Sequence, residues 1–126
     1  MRQINTLLVI LFLPISVTMA QEITVRVDCP RVVMLGEQIR VAYTVNTSGG
    51  EFMSPSFDGF YLLSGPNTSY SKSTQIVNGR STSETAYSYV FYIQAIQEGK
   101  FTVPAGKYTK GGKTYSSESL EIEVLK

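Results

Sequence analysis

Apolar and polar side chains alternate one by one through most of this chain, and that period of two restricts its fold more than any other feature. The alternation is clearest in residues 39–45 and 120–124, and a shorter piece covers residues 23–28. A period of two is typical of half-buried strands, whereas an amphipathic helix repeats every 3.6 residues. No sustained helical pattern follows residue 20, so the sequence predicts an all-β fold.

Turn signals separate these alternating segments into about seven to nine short strands, a spacing typical of sandwiches. We therefore predict an immunoglobulin-like antiparallel β-sandwich over residues 21–126, with an up-and-down barrel as the alternative. The chain has no Trp and a single Cys, Cys29. The tryptophan and the disulfide of true immunoglobulin domains are thus missing, and the expected likeness is one of architecture.

The first twenty residues have the composition of a secretory leader rather than of a folded element. Arg2 supplies a positive start, an apolar run extends from Leu7 to Val17, and Ala20 ends a group of small residues. That order predicts a signal peptide over residues 1–20, because the apolar run is shorter than the ~20 residues that span a membrane. We expect cleavage after Ala20 and a periplasmic location for the mature chain.

The dipeptide Asn78-Gly79 is the strongest hairpin signal, because both central residues of a type I′ turn need positive φ. Counting outward pairs Val77 with Arg80, Ile76 with Ser81, Thr74 with Ser83, Lys72 with Thr85 and Tyr70 with Tyr87. Gly111-Gly112 predicts a second hairpin that pairs Tyr108 with Tyr115.

Other strands are predicted from the apolar pattern alone. The run Phe60–Leu63 predicts a short buried strand, and residues 64–66, Ser-Gly-Pro, predict a turn after it. Val41 and Phe91 occupy the middle of apolar faces, so we expect both in the core.

The composition argues against catalysis and against nucleic-acid binding. There is no histidine, which removes the commonest general base and metal ligand. The eleven basic residues fall to ten without Arg2 and then equal the ten acidic ones, which leaves no basic footprint. A hydrolase using Glu121 and Glu123 is conceivable, but their alternation with apolar residues already explains them as a solvated strand face. We expect a chain that is not an enzyme and uses no cofactor or metal.

The hairpin closed by Asn78-Gly79 is the predicted interaction site. Its outer half is rich in Ser and Thr on both faces, so it has little to bury, and an exposed edge can accept a strand from a partner. The residues assigned to this edge are Tyr70, Lys72, Thr74, Ile76, Asn78 and Gly79. A solvated hairpin without a partner is the plainer interpretation. A surface glycan-binding module that uses exposed Tyr61, Tyr70 and Tyr92 is the functional alternative.

An ordered set of short stretches resembles the N-terminal domain of the BatD family, the oxygen tolerance proteins of the Bacteroides aerotolerance operon. The stretches are residues 32–46 (VVMLGEQIRVAYTVN), 60–69 (FYLLSGPNTS), 75–79 (QIVNG), 87–95 (YSYVFYIQA), 98–105 (EGKFTVPA) and 112–124 (GKTYSSESLEIEV). They cover nearly all of the mature chain in order, although no single stretch is diagnostic.

The resemblance implies an envelope protein with several sandwich domains and a C-terminal membrane anchor. It implies partners among other Bat proteins, of von Willebrand A type and tetratricopeptide type, and a MoxR-type ATPase. It supplies no catalytic residues. The chain has no second apolar segment, so we expect membrane attachment only through an anchor outside this sequence.

Overall fold

The computed structural model describes residues 22–126, so the predicted signal peptide and its cleavage site lie outside the described residues. Within this range the chain forms ten strands. Their bounds are β1 Val25–Asp28, β2 Val32–Met34, β3 Gln38–Val45, β4 Glu51–Met53, β5 Phe60–Val77, β6 Arg80–Ala95, β7 Gly99–Val103, β8 Lys107–Lys110, β9 Lys113–Ser116 and β10 Leu120–Leu125. The predicted all-β class is confirmed, and no helix of the described residues is long and apolar enough to cross a membrane.

One layer of the sandwich is a four-stranded sheet in the order β1-β3-β6-β5. Its pairs are all antiparallel, and β3 pairs with β6 from Gln38↔Gln94 to Val45↔Tyr87. The two longest strands, β5 and β6, are joined by a tight turn and lie side by side at one end of the order. Among residues 22–126, β5 is therefore an edge strand that pairs with β6 on one side only.

The other layer is a sheet that is interrupted along its length. One half has the order β2-β10-β7 and the other β4-β8-β9. The chain passes from β7 to β8 through Pro104, and Gly106 meets Ser117 at the interruption: Ser117 N–H donates to the Gly106 carbonyl at 2.9 Å, and Gly106 N–H donates to Ser117 Oγ at 2.8 Å. These two bonds satisfy backbone groups where the regular ladder stops. The pair β2–β10 is parallel.

Alternate residues of the two layers meet in the core, as the period of two predicts. Ile39, Val41, Ile93 and Ile122 have no exposed surface, and Phe91 is almost completely buried. A second, smaller cluster joins the first layer to Tyr108 of β8. Each side chain of this size stabilises the fold by roughly 1.5–3 kcal/mol when it is fully buried. The predictions for Val41 and Phe91 are therefore confirmed.

The segment before the long hairpin differs from its prediction. Residues 60–63 are not a separate buried strand: Phe60 is buried, but Tyr61, Leu62 and Leu63 are exposed. Residues 64–66 are not a turn either, because β5 continues through them with register irregularities between Leu62 and Asn67. An edge strand tolerates Pro66 at such an irregularity, since its nitrogen has no ladder bond to donate there.

Candidate strand-docking edge

The hairpin closed by Asn78-Gly79 has the register that its turn predicts. Asn78 and Gly79 have φ of 53° and 76°, as a type I′ turn requires. The pairs Val77↔Arg80, Ile76↔Ser81, Thr74↔Ser83, Lys72↔Thr85 and Tyr70↔Tyr87 are all present. A two-residue turn determines which residues of the flanking strands stand opposite each other, so the register could be counted outward from the turn. The second predicted pair, Tyr108↔Tyr115, is also confirmed.

Part of this hairpin extends beyond the sandwich. β3 ends opposite Tyr87, so residues 80–86 of β6 have no strand on their second side within the described part of the chain. We call residues 71–86 the ribbon and the rest of the described chain the body. Side chains of residues 71–84 are all exposed, and those of Thr85 and Ala86 are half-buried. The ribbon therefore has two free edges and two solvated faces.

The predicted interaction residues lie in two groups. Tyr70, Lys72, Thr74 and Ile76 alternate along β5 on the face that, in the body, turns toward the second layer, because Tyr70 stands opposite the inward-facing Tyr87. All four are exposed. Asn78 and Gly79 form the tip of the ribbon. The structure thus places four of the six residues on one face of an edge strand and the other two at its end.

The same four residues direct their backbone groups to the open edge. The residues that flank a two-residue turn exchange both hydrogen bonds, and such pairs alternate with pairs that exchange none. Counting from Val77↔Arg80, the odd-numbered residues of β5 bond to β6. The N–H and C=O groups of Lys72 and Thr74 therefore point away from β6, where an added strand would find them.

A row of aromatic rings connects the ribbon to the body. The Tyr70 and Tyr87 ring centroids are 5.9 Å apart, Tyr87 and Tyr89 are 5.3 Å apart, and Tyr89 stacks on Phe52 at 4.3 Å. Each such pair adds roughly 0.5–1.5 kcal/mol beyond the area that it buries. The row ends at Tyr70, the most exposed of the four rings, so the base of the ribbon is held by packing and the rest of the ribbon is not.

The exposed tyrosines of the glycan alternative do not share one face. Tyr61 stands opposite Gln94 and Tyr70 opposite Tyr87, and these two β6 residues lie on opposite faces of the sheet. Tyr92, which is half-buried, lies on the same face as Gln94. The three rings therefore do not form a common platform, although Tyr70 and Tyr87 form a smaller one.

A shallow polar groove of 390 Å³ lies on the outer face of the first layer, between β1 and the base of the ribbon. Its lining includes Arg26, Asn46, Ser73 and Glu84. Asn46 is already engaged, because its Oδ1 accepts from the Thr24 N–H at 2.9 Å and its Nδ2 donates to the Glu22 carbonyl at 2.8 Å. Glu84 is the one carboxylate of the lining, so the groove does not bring two acids together.

The titratable groups with clear shifts are held in their neutral forms. Burial raises the pKa of the Cys29 thiol, and this effect outweighs the opposing charge of Arg31. Burial also raises the pKa of Tyr89, with smaller contributions from Tyr108 and Tyr87, and strongly raises the pKa of Tyr43. A reactive cysteine needs a lowered pKa, so the direction at Cys29 is that of a structural thiol.

Sequence reasoning missed two features of this region. The exposed apolar residues at the base of β5, Tyr61 to Leu63, were predicted to be buried, and nothing in a short apolar run distinguishes a central strand from an edge. The free edge of residues 80–86 in β6 was not predicted, because it depends on where β3 ends. One sequence signal could have indicated this free edge: the alternating segment 39–45 is shorter than the hairpin strand beside which it lies.

A family model described as "BatD DUF11 like domain" matches residues 25–124. No curated protein matches the chain. The matched range begins at the first residue of β1 and ends one residue before the end of β10. The family match and the sandwich therefore have the same extent.

Proposed function

The chain belongs to the BatD family, which makes it a module of an aerotolerance-associated envelope protein, and we propose that it binds other Bat proteins by accepting a strand at the open edge of β5. In this proposal it is a non-enzymatic scaffold in the periplasm. Its partners are the von Willebrand A-type and tetratricopeptide-type Bat proteins.

One observation carries the proposal: no strand of residues 22–126 pairs with the outer edge of β5, where its backbone groups are best placed for pairing. Between Asn67 and Val77 the register with β6 is regular, so the outward backbone groups recur at every second residue, as a strand template requires. Natural edges are usually blocked by proline, by bulges or by charged side chains, especially Lys. Here the irregularity and Pro66 lie before this segment, and Lys72, on the inner face, is the one such charge along it.

The chemistry of the edge supports binding rather than reaction. It offers backbone N–H and C=O groups, hydroxyls and one ammonium, and none of these is an activated nucleophile. Strand addition takes its affinity from main-chain hydrogen bonds and its specificity from alternate side chains. On β5 those alternate side chains are Tyr70, Lys72, Thr74 and Ile76.

Proline at Thr74 tests the proposal, because it removes an N–H that faces the open edge and leaves the bonds to β6 in place. We expect Thr74→Pro to weaken capture of each Bat partner at least about tenfold while the thermal melt stays at the wild-type value. Thr74→Ala keeps the N–H and should bind normally. Ser73→Pro removes a bond to β6 and should open the ribbon itself. A folded Thr74→Pro protein that captures its partners normally would exclude this edge.

Glycan binding is the second candidate, and the exposed ring of Tyr70 beside Tyr87 favours it. Sugars stack on such aromatic faces, and hydroxyls of the ribbon lie next to them. The test is binding to an array of bacterial surface glycans. Loss of a bound glycan in Tyr70→Ala, with retention in Tyr61→Ala on the opposite face, would replace the scaffold proposal with this one.

A further inference from the structure

The edge of β5 has a pattern that fits a second copy of the same chain. Tyr70 and Ile76 are the two large apolar side chains on the inner face of this segment of β5, and they are 56% and 77% exposed. They are placed symmetrically about Ser73, three residues away on either side. An antiparallel pairing of two β5 strands centred on Ser73 therefore sets Tyr70 of each copy opposite Ile76 of the other.

We propose that two copies of this chain associate through their β5 edges in this register and form one continuous sheet. The inference rests on the proposed function, in which the edge of β5 accepts a strand. In the absence of a Bat partner, that strand is β5 of a second copy. A two-fold axis perpendicular to the sheet relates the copies, so the same surface is used on both sides and the assembly closes as a dimer. Residues 69–77 of each copy are paired.

The side chains distinguish this register from its neighbours. Residues on the inner face of one copy must stand opposite residues on the inner face of the other. The two-fold axis must therefore pass through a residue position, and the neighbouring registers are those centred on Ser71, Lys72 and Thr74. Centring on Lys72 places two ammonium groups opposite each other, which is destabilising. Centring on Thr74 places Lys72 opposite Ile76, and centring on Ser71 places Tyr70 opposite Lys72. Of the centres from residue 71 to residue 74, only Ser73 sets apolar opposite apolar, Tyr70 against Ile76, and it sets Lys72 opposite Thr74.

The backbone agrees with the same register. The outward N–H and C=O groups of β5 belong to Tyr70, Lys72, Thr74 and Ile76, by the alternation counted from the turn. In the Ser73-centred pairing these residues stand opposite one another across the two-fold axis. Lys72 and Thr74 of opposite copies exchange both of their bonds. Ser73 and its symmetry mate form a pair without hydrogen bonds, with Cα atoms ~4.5 Å apart.

The register also fixes where the ribbon of each copy ends. The tip of one ribbon comes beside Asn67 of the other copy, where β5 is still an edge strand. The two Lys72 side chains are then diagonal neighbours, ~7–8 Å apart, in solvent. Salt screens their repulsion at this exposed site, so we expect the dimer to strengthen moderately as ionic strength rises.

A disulfide across the axis tests the register directly. In a Cys29→Ala background, Ser73→Cys places two thiols on one face with Cα atoms ~4.5 Å apart, within the ~4.4–6.8 Å of natural disulfides. We expect mild oxidation to link most of the protein as a dimer. Ser71→Cys is the matched control: its symmetry mate is four positions away along the strand, about 13 Å, so it should stay unlinked. A mixture of Ser71→Cys and Gln75→Cys should link, because those residues are opposite.

Sedimentation velocity of the full chain over a range of concentrations gives the second measurement. We expect a monomer–dimer equilibrium whose dissociation constant rises at least about tenfold in Thr74→Pro and is unchanged in Thr74→Ala. A monomer at every concentration, or self-linking of Ser71→Cys in place of Ser73→Cys, would overturn the proposed dimer. Neither result bears on capture of Bat proteins, which is measured on the chain without engineered cysteines at concentrations below the dissociation constant of the dimer. Failed capture there, with Ser73→Cys still linking on oxidation, would refute the proposed function alone.

Discussion

The strands β5 and β6 run through both the body and the ribbon, yet side-chain burial stabilises only the body. In the body, Val25, Val45, Tyr87 and Tyr70 form one row across the four-stranded sheet, and exposure increases from Val45 through Tyr87 to Tyr70 at the edge. In the ribbon the backbone ladder continues unchanged, but the side chains of residues 71–84 are all exposed. A suitable turn and a backbone ladder are therefore enough to fix the register of two strands. Without an apolar face to bury, the same ladder contributes little to the free energy of unfolding.

This difference predicts two levels of stability. An isolated two-stranded hairpin is marginally stable in water, and three or more strands with an apolar face are needed for independence. The ribbon remains formed because β5 and β6 continue into the body. Changes in the body should therefore alter global unfolding, and changes in the ribbon should alter local opening and binding.

A buried charge should produce the largest effect. Val41 has no exposed surface and stands opposite Phe91. A carboxylate there without a partner costs an amount comparable to the whole stability of a small domain, about 5–15 kcal/mol. We expect Val41→Asp to abolish soluble folded protein. The same charge in the ribbon, Ser83→Asp, should leave the thermal melt unchanged, and equal behaviour of the two variants would remove the distinction between body and ribbon.

Truncation of a core ring should produce the next largest effect. Phe91 is surrounded by the rings of Tyr43, Phe52 and Phe57, with centroids 5.9, 6.3 and 5.2 Å away. Phe91→Ala leaves a cavity among them and should lower the free energy of unfolding by about 3–5 kcal/mol in urea titrations. Tyr70→Ala, at the base of the ribbon, should cost no more than about 1 kcal/mol. Similar losses at both positions would contradict our account.

Alkaline pH should destabilise the body through Tyr43. Its hydroxyl donates to the Pro104 carbonyl at 2.7 Å, and burial raises the pKa of Tyr43 above its ordinary value near 10. Since the folded pKa is the higher one, this contribution to stability is complete below about pH 10 and decreases as pH rises further, where the unfolded chain releases the proton first.

Tyr43→Phe tests this dependence in urea titrations from pH 7 to pH 11. At pH 7 we expect a loss of about 1–2 kcal/mol, because the Pro104 carbonyl loses its donor. Above about pH 10 the variant should decline less steeply than the wild type. Tyr61→Phe, on an exposed ring, is the control and should follow the wild-type curve. An unaltered slope in Tyr43→Phe would mean that another group causes the alkaline loss.

The smallest effect should come from strain at the tip of the ribbon. Gly79 has φ of +76°, and a Cβ there would meet nothing within 4 Å, so Gly79→Ala adds strain of roughly 1 kcal/mol and no clash. Hydrogen exchange should become faster in ribbon amides only. Gly36→Ala, with φ of +86° and equally open space, places the same strain in the body and should lower global stability by a similar amount. A global loss in Gly79→Ala would show that the ribbon is part of the cooperative unit.

The sequence predicted those parts of the molecule whose causes are local. The ribbon register followed from Asn78-Gly79, because two residues with positive φ leave one way to pair the flanking strands. Val41 and Phe91 were predicted to be buried, because a strand with one apolar face must turn that face inward. The candidate edge was likewise predicted from a Ser/Thr-rich hairpin that had nothing to bury.

The remaining features depend on contacts between distant segments. The run Phe60–Leu63 is as apolar as a central strand, but no strand of residues 22–126 pairs with its outer edge, and Tyr61 lies on the outer face of the sheet. Gly65 and Pro66 are turn-forming residues, but the pairing of β5 with β6 on both sides of them keeps the chain extended. The parallel pairing of β2 with β10, and the interruption at Gly106, result from segments far apart in the sequence.

The unbroken course of β6 has a mechanical consequence. This strand of sixteen residues runs from the ribbon tip to Ala95 in the core, about 50 Å at ~3.3 Å per residue. A force applied to the ribbon along its axis travels through one continuous backbone to Phe91. Because ladder bonds between β3 and β6 are perpendicular to the strands, such a force shears all of them together instead of opening them one after another. The molecule is therefore built to resist tension along the ribbon and to yield more easily when the ribbon is peeled sideways.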